Sequence, residues 1–274
     1  MNRSLAALVA VFPVFLVPSA SAGPDFPEPA TRLVTPGGPP VDGVHMIAVE
    51  IALPEGWHTY WRNPGDAGLP PLFDTSASTN LAAFDVAFPA PERWSDGYST
   101  SIVYHGTAVF PVAVTAADVS APIDIAVTMS FGYCREICIP ATAELSATLD
   151  PRAPVDAEAK ALVDAAIAAL PAPEKSAPPG APRLVSLERI GDDRKTAVLR
   201  LVVESGAPDA VDLFAEPPDG WYLTVPHKVS SDARRAVFDL PLKGMPKAAS
   251  FAGAAFRFTL VEPGAAVEVE RTLD

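Results

Sequence analysis

Alternating apolar and polar positions run through most of the chain, and the clearest run brackets its only two cysteines. Ile123, Ile125, Val127, Met129 and Phe131 alternate with Asp124, Ala126, Thr128 and Ser130. Beyond the cysteines, Ala143, Leu145, Ala147 and Leu149 alternate with Thr142, Glu144, Ser146 and Thr148. A period of two sends one set of side chains to a core face and the other toward solvent. The pattern predicts two adjacent strands, with the stretch from Ser130 to Pro140 as the loop at their tip. That loop carries Cys134 and Cys138.

The same period recurs upstream. Ile47, Val49, Ile51 and Leu53 share one face of a strand over His45 to Leu53. Pro54-Glu55-Gly56 reads as a turn, after which Trp57-His58-Thr59-Tyr60-Trp61-Arg62 begins another extended piece. Gly23 to Asp42 reads as a loose lead-in, and Asn63 to Pro71, dense in proline and glycine, as a long loop. Short strands follow at Phe84/Val86/Phe88, at Ile102 to Tyr104, and at Ala108/Phe110/Val112/Val114. Many short strands without βαβ alternation predict an antiparallel β-sandwich and argue against a thioredoxin-like or dinucleotide-binding fold.

Between Pro154 and Pro182 the pattern changes. Ala159, Leu162, Val163, Ala166, Ile167 and Leu170 recur at helical spacing, predicting a short amphipathic helix. Pro171 to Pro182 reads as an extended spacer. Strand patterns return at Ala197/Leu199/Leu201/Val203, Val211/Leu213, Ala236/Phe238/Leu240, Phe256/Phe258/Leu260 and Val267/Val269. Pro218-Asp219-Gly220-Trp221 echoes Pro54-Glu55-Gly56-Trp57 in composition and in its place after a strand. The expected organisation is all-β, with two antiparallel sandwich domains over 23–152 and 183–274, joined by a Pro/Ala-rich linker over 153–182 with a short helix.

Residues 1–22 read as a cleaved secretory signal: Arg3, an apolar run from Leu5 to Val17, and Ala20-Ser21-Ala22 as the cleavage site. No later run is long enough to span a membrane, so the mature chain is expected to be exported, in a bacterial periplasm, without a span. The formal charge of -13 argues against nucleic acid or anionic lipid as partner.

Two cysteines four positions apart in an exported chain allow three readings. One is a structural staple, although a five-residue ring contributes only about 2 kcal/mol against more than ~4 for a bridge across a sandwich. The second is a dithiol that exchanges electrons, which needs one reachable sulfur and a second within bonding distance. Arg135 favours a thiolate and Glu136 opposes it, so no direction follows for the cysteine pKa. Phe131, Tyr133 and Ile139 either shield the pair or pack on the sheet. The third is soft-metal binding with His45, His58, His105, Met46 or Met129 in the same unit. Motifs of serine hydrolases, zinc proteases and phosphate-binding loops are absent from the sequence.

Gly56-Trp57-His58-Thr59-Tyr60-Trp61-Arg62-Asn63-Pro64-Gly65-Asp66-Ala67-Gly68-Leu69-Pro70, then Pro89-Ala90-Pro91-Glu92-Arg93, then Tyr133-Cys134-x-x-x-Cys138-Ile139-Pro140 resemble the periplasmic N-terminal part of the thiol:disulfide interchange protein DsbD, in its ScsB-like branch. Asp219-Gly220-Trp221-Tyr222-Leu223 in the second unit is similar to that branch too. The resemblance implies immunoglobulin-like domains and a cysteine pair that takes electrons from a membrane-embedded thiol redox protein and passes them to periplasmic thioredoxin-fold proteins, with no bound cofactor. It implies that Cys138 is the sulfur attacked in mixed disulfides, that Cys134 resolves them, and that Tyr60 lies beside the pair. Members of the family continue into a membrane domain and a thioredoxin-like domain. This chain ends at Asp274, so its electrons are expected from a separate protein. The rival functions are a copper-tolerance protein using the same cysteines, and a non-catalytic adaptor.

Overall fold

The structure is a computed structural model that describes residues 26–191, 193 and 196–273. The expected signal segment lies outside the described residues. Ten strands form the first unit: β1 Ala30–Val34, β2 Val44–Ala52, β3 His58–Gly65, β4 Leu72–Asp74, β5 Leu81–Val86, β6 Glu92–Ser95, β7 Thr100–His105, β8 Thr107–Ala116, β9 Ile123–Cys134 and β10 Cys138–Leu149. They build one sheet in the order β1-β2-β8-β5 and a second in the order β10-β9-β3-β7-β6, with β4 also pairing β9. The apolar faces meet between the sheets. Ile47, Val49, Ile51, Phe110, Val112 and Val114 of the first sheet pack against Ile123, Ile125, Val127, Met129 and Trp61 of the second. These are the alternating positions that the pattern assigns to the core.

A helix follows, α1 Ala157–Ala168. Asp156 caps it by accepting hydrogen bonds from the backbone N–H groups of Glu158 and Ala159. The helix does not bridge the units. Val163 packs with Val34 and Ala48, so α1 covers the outer face of the β1-β2-β8-β5 sheet.

The second unit contains β11 Ala172–Pro173, β12 Arg183–Ile190, β13 Val198–Glu204, β14 Asp212–Glu216, β15 His227–Ser231, β16 Arg235–Pro241, β17 Ala255–Glu262 and β18 Ala265–Thr272. Its sheets run β11-β18-β17-β14 and β12-β13-β16-β15, around a core of Leu199, Leu201, Leu213, Phe238, Leu240, Phe256, Phe258 and Leu260. The all-β expectation holds, with the sheets antiparallel except where β11 runs parallel to β18.

Three local readings differ from the structure. Part of the lead-in, Ala30–Val34, is a strand because Leu33 and Val34 complete the first sheet beside β2. Asn63-Pro64-Gly65 continues β3 rather than opening a loop. The Pro171–Pro182 stretch is not a free spacer. Ala172 and Pro173 pair with Val267 and Glu268, Glu174 binds the Arg271 guanidinium at 2.6 Å, and Ala181 is buried in the second core. Proline lacks an N–H donor, but at a sheet edge this leaves no ladder bond broken.

The sequence echo is also a structural one. In each unit the backbone N–H of a tryptophan bonds back to a proline carbonyl at 3.1 Å, Trp57 to Pro54 and Trp221 to Pro218. In each the intervening glycine, Gly56 or Gly220, has φ of 77°. A left-handed third position requires glycine there, and both turns deliver a buried indole into their unit's core.

The two units are tightly joined. Phe214 and Val225 of the second are buried in the apolar cluster of the first. Arg62 on β3 reaches Glu216 at 2.6 Å and Glu268 at 2.5 Å. Asn63 donates to the Ala215 carbonyl, and Arg93 on β6 holds Asp212 at 2.7 Å.

Candidate functional site

Residues β9 and β10 form one long hairpin in which Cys134 pairs directly with Cys138, and a disulfide joins them across a Cα separation of 4.2 Å. The three residues between them, Arg135, Glu136 and Ile137, make an exposed turn. The two cysteines differ in access. Cys134 is 3% exposed, whereas Cys138 lies at the surface.

Strand parity decides what surrounds the sulfurs. Phe131 and Tyr133 point into the core between the sheets, where the Tyr133 ring lies tilted against Trp57 with centroids 4.9 Å apart. Cys134, one residue on, points to the opposite face. Phe131 and Tyr133 therefore do not shield the disulfide; they anchor the strand that carries it. Ile139, also packed against the core, does the same.

On the outer face the sulfurs meet Tyr60. Its hydroxyl lies 2.7 Å from Cys134 Sγ and 3.0 Å from Cys138 Sγ. Disulfide sulfurs carry no proton, so the phenol must be the donor. Tyr60 is buried with Val103 and Cys134, and Trp94 packs against them. Burial raises its pKa, and Asp96 adds to the shift, so the phenol keeps its proton at neutral pH. His58, two residues earlier on β3, shares this face and pairs in register with both Cys134 and His105.

The segment after Gly65 is what fixes Tyr60. Asp66 N–H bonds to the Thr100 carbonyl at 2.9 Å, and Ser101 Oγ donates to the Ala67 carbonyl. On the other side Gly132 N–H bonds to the Leu69 carbonyl at 2.9 Å. Between these anchors Gly68 lies against the Tyr60 ring with φ of 144°, and any Cβ there would overlap the ring. Gly132 likewise faces Leu69, with room for no side chain. This backing loop was not identifiable from sequence. Its Gly-Asp-Ala-Gly composition announced a turn but not which ring the turn would touch.

A prediction follows from that contact. Gly68→Ala combines an unfavourable backbone angle with overpacking, at a cost of about 2 kcal/mol. It is expected to lower the thermal midpoint and to displace the Tyr60 hydroxyl from the sulfurs. An unchanged melting curve would show that the loop does not press on Tyr60.

Of the residues considered for soft-metal binding, His58 lies beside Cys134 and His105 beside His58, whereas His45 and Met46 lie on β2, in another sheet, and Met129 is in the core. Among the described residues, no group of three His, Cys, Asp or Glu side chains is placed to hold a metal ion. Nor is any helix among them long and apolar enough to cross a membrane.

Comparison with known proteins agrees with this architecture. Residues 32–150 match the family model for "Thiol:disulfide interchange protein DsbD, N-terminal". The crystal structure of the N-terminal periplasmic domain of ScsB from Proteus mirabilis superposes with a TM-score of 0.70 at 21% identity, covering 92% of this chain and 96% of that one. The reduced DsbD N-terminal domain from Neisseria meningitidis covers 43% of this chain and 83% of its own, at 15% identity and a TM-score of 0.27. No curated protein matches. The match over 32–150, together with the two-unit β architecture shared with the ScsB structure, places a DsbD N-terminal-like domain in the first unit of this chain, around the Cys134–Cys138 hairpin.

Proposed function

We propose that the chain is a periplasmic thiol–disulfide exchange protein. In this reading it relays electrons through Cys134 and Cys138 between a membrane-embedded thiol redox protein and thioredoxin-fold proteins. The observation that carries the reading is the unequal access of the two sulfurs on a rigid hairpin, with a phenol donor at both. A staple for stability would join distant strands, whereas this bond closes only a turn.

The geometry supports a definite order of events. A partner thiolate attacks Cys138 Sγ, the exposed end. The Cys134–Cys138 bond breaks as the mixed disulfide forms, and the electron pair leaves on Cys134 Sγ. Tyr60, already at hydrogen-bond distance, donates to that thiolate and makes it a better leaving group. The partner's second thiolate then attacks its own mixed-disulfide sulfur and releases Cys138. The pair has gained two electrons, with protons taken up by the thiolates, and the partner has become a disulfide. Running the steps backward passes the electrons on.

The test is equilibration of the purified protein with a thioredoxin-fold dithiol and with glutathione buffers, followed by thiol alkylation and mass measurement. Reversible interconversion, complete within minutes with the protein dithiol, is expected. A pair that stays oxidised under a large excess of both reductants would reduce the site to a staple.

A further inference from the structure

His58 is buried, 2% exposed, and its Nε2 has no hydrogen-bond partner among the described residues. A buried polar atom left unpaired is costly, and the exceptions in native proteins call for an explanation. Every neighbour of the ring is occupied or unable to help. Trp94 lies tilted against it at 4.5 Å, with no hydrogen bond to Nε2. Tyr60 meets it edge-on at 5.5 Å, but its hydroxyl is engaged by the sulfurs. His105 stands at 5.7 Å, with its Nδ1 on Glu92.

One neighbour changes with redox state. Cys134 is the cross-strand register partner of His58, on the same face of the sheet. Side chains so paired sit about 5 Å apart at Cβ. In the disulfide Cys134 offers no proton. In the dithiol it offers an S–H.

We propose that His58 is a positioning residue for the reduced pair: its Nε2 accepts a hydrogen bond from the Cys134 thiol that exists only in the dithiol state. The inference rests on the exchange reading of the same cysteines. Reduction by a partner dithiol delivers two electrons to the disulfide, and the departing Cys134 thiolate takes a proton from solvent or from the partner thiol. His58 does not supply that proton. Burial, with a smaller effect of His105, lowers its pKa to about 4, so it stays neutral and can accept. The orphaned nitrogen thus burdens the oxidised form and is relieved on reduction, which poises the pair toward accepting electrons and holding them.

Two measurements test this. The first is long-range ¹H–¹⁵N NMR of the histidine rings in the unmodified protein, oxidised and reduced. Nε2 of His58 is expected to be unprotonated in both states and to move upfield on reduction. The second is the glutathione equilibrium of His58→Phe and His58→Gln. Phe removes the acceptor and should favour the disulfide about tenfold, a shift of ~30 mV to more negative potential for a two-electron couple. Gln retains an acceptor and should recover most of the difference. An Nε2 resonance that ignores reduction, or a Phe variant at the same potential as the parent, would overturn the role. Should the unmodified protein fail to equilibrate at all, the exchange function itself falls, an outcome separate from either.

Discussion

Changing Cys138 to alanine is expected to abolish electron exchange and to leave no covalent adduct with a thioredoxin-fold partner, whereas Cys134→Ala should trap one. The reason is access. Cys138 lies at the surface of the hairpin tip, while Cys134 is 3% exposed behind Tyr60. A thiolate must approach the sulfur it attacks along the S–S axis, and only one end of this bond offers that path. In Cys134→Ala the exposed Cys138 thiol can still join a partner, but nothing remains to resolve the adduct within this chain. In Cys138→Ala the surviving thiol is buried and cannot reach. Non-reducing electrophoresis reads the outcome directly after mixing with a partner that lacks its own resolving cysteine and whose remaining cysteine is loaded as a thionitrobenzoate mixed disulfide, so that the attacking thiolate displaces thionitrobenzoate. Adducts formed by Cys138→Ala and not by Cys134→Ala would reverse the roles.

Replacing Arg62 with alanine is the largest expected perturbation of stability away from the sulfurs. Its side chain is 21% exposed, and its guanidinium bridges Glu216 and Glu268, which belong to different strands of the second unit. Burial works to lower its pKa, and the two carboxylates outweigh that, so it is held charged above its ordinary value. Removing it leaves two half-buried carboxylates facing each other at the junction, with only Arg257, at 3.8 Å and 3.5 Å, to offset them. Breaking one side of a buried pair costs about 3–5 kcal/mol, and Arg257 should hold the loss near ~3. Because Arg62 lies two residues beyond Tyr60 on β3, the variant should also loosen the site. Chemical denaturation checks the first effect, and the glutathione equilibrium checks the second. A loss under ~1 kcal/mol would mean that the other contacts hold the junction: Phe214 against Trp61, whose rings meet at 6.0 Å, Arg93 on Asp212 and Asn63 on Ala215.

Much of the scaffold was legible before any coordinates. The alternation on either side of the cysteines defined β9 and β10 and put the pair at their tip, because a strand with one buried face must repeat every second residue. The same parity contained a further signal. Counting on from Ile123 through Phe131 places Tyr133 inside and Cys134 outside, so the shielding role considered for Phe131 and Tyr133 was answerable by the period alone. The helix at Ala157–Ala168 was legible from its spacing, but not the sheet it covers.

What the chain determined by itself is local: which segments extend, which faces are apolar, which turns demand glycine, and that two sulfurs share one hairpin. These follow from backbone sterics and burial, which act over a few residues. Only the folded structure decided that β3 lies beside β9, so that Tyr60 meets both sulfurs and His58 faces Cys134, partners 74 residues or more apart in sequence. It also decided that Gly68 backs the phenol and that Arg62 ties this strand to carboxylates 154 and 206 residues further along. Such pairings depend on strand register and on the docking of two cores. Both arise from the packing of all the apolar faces at once, and no short stretch of residues encodes them.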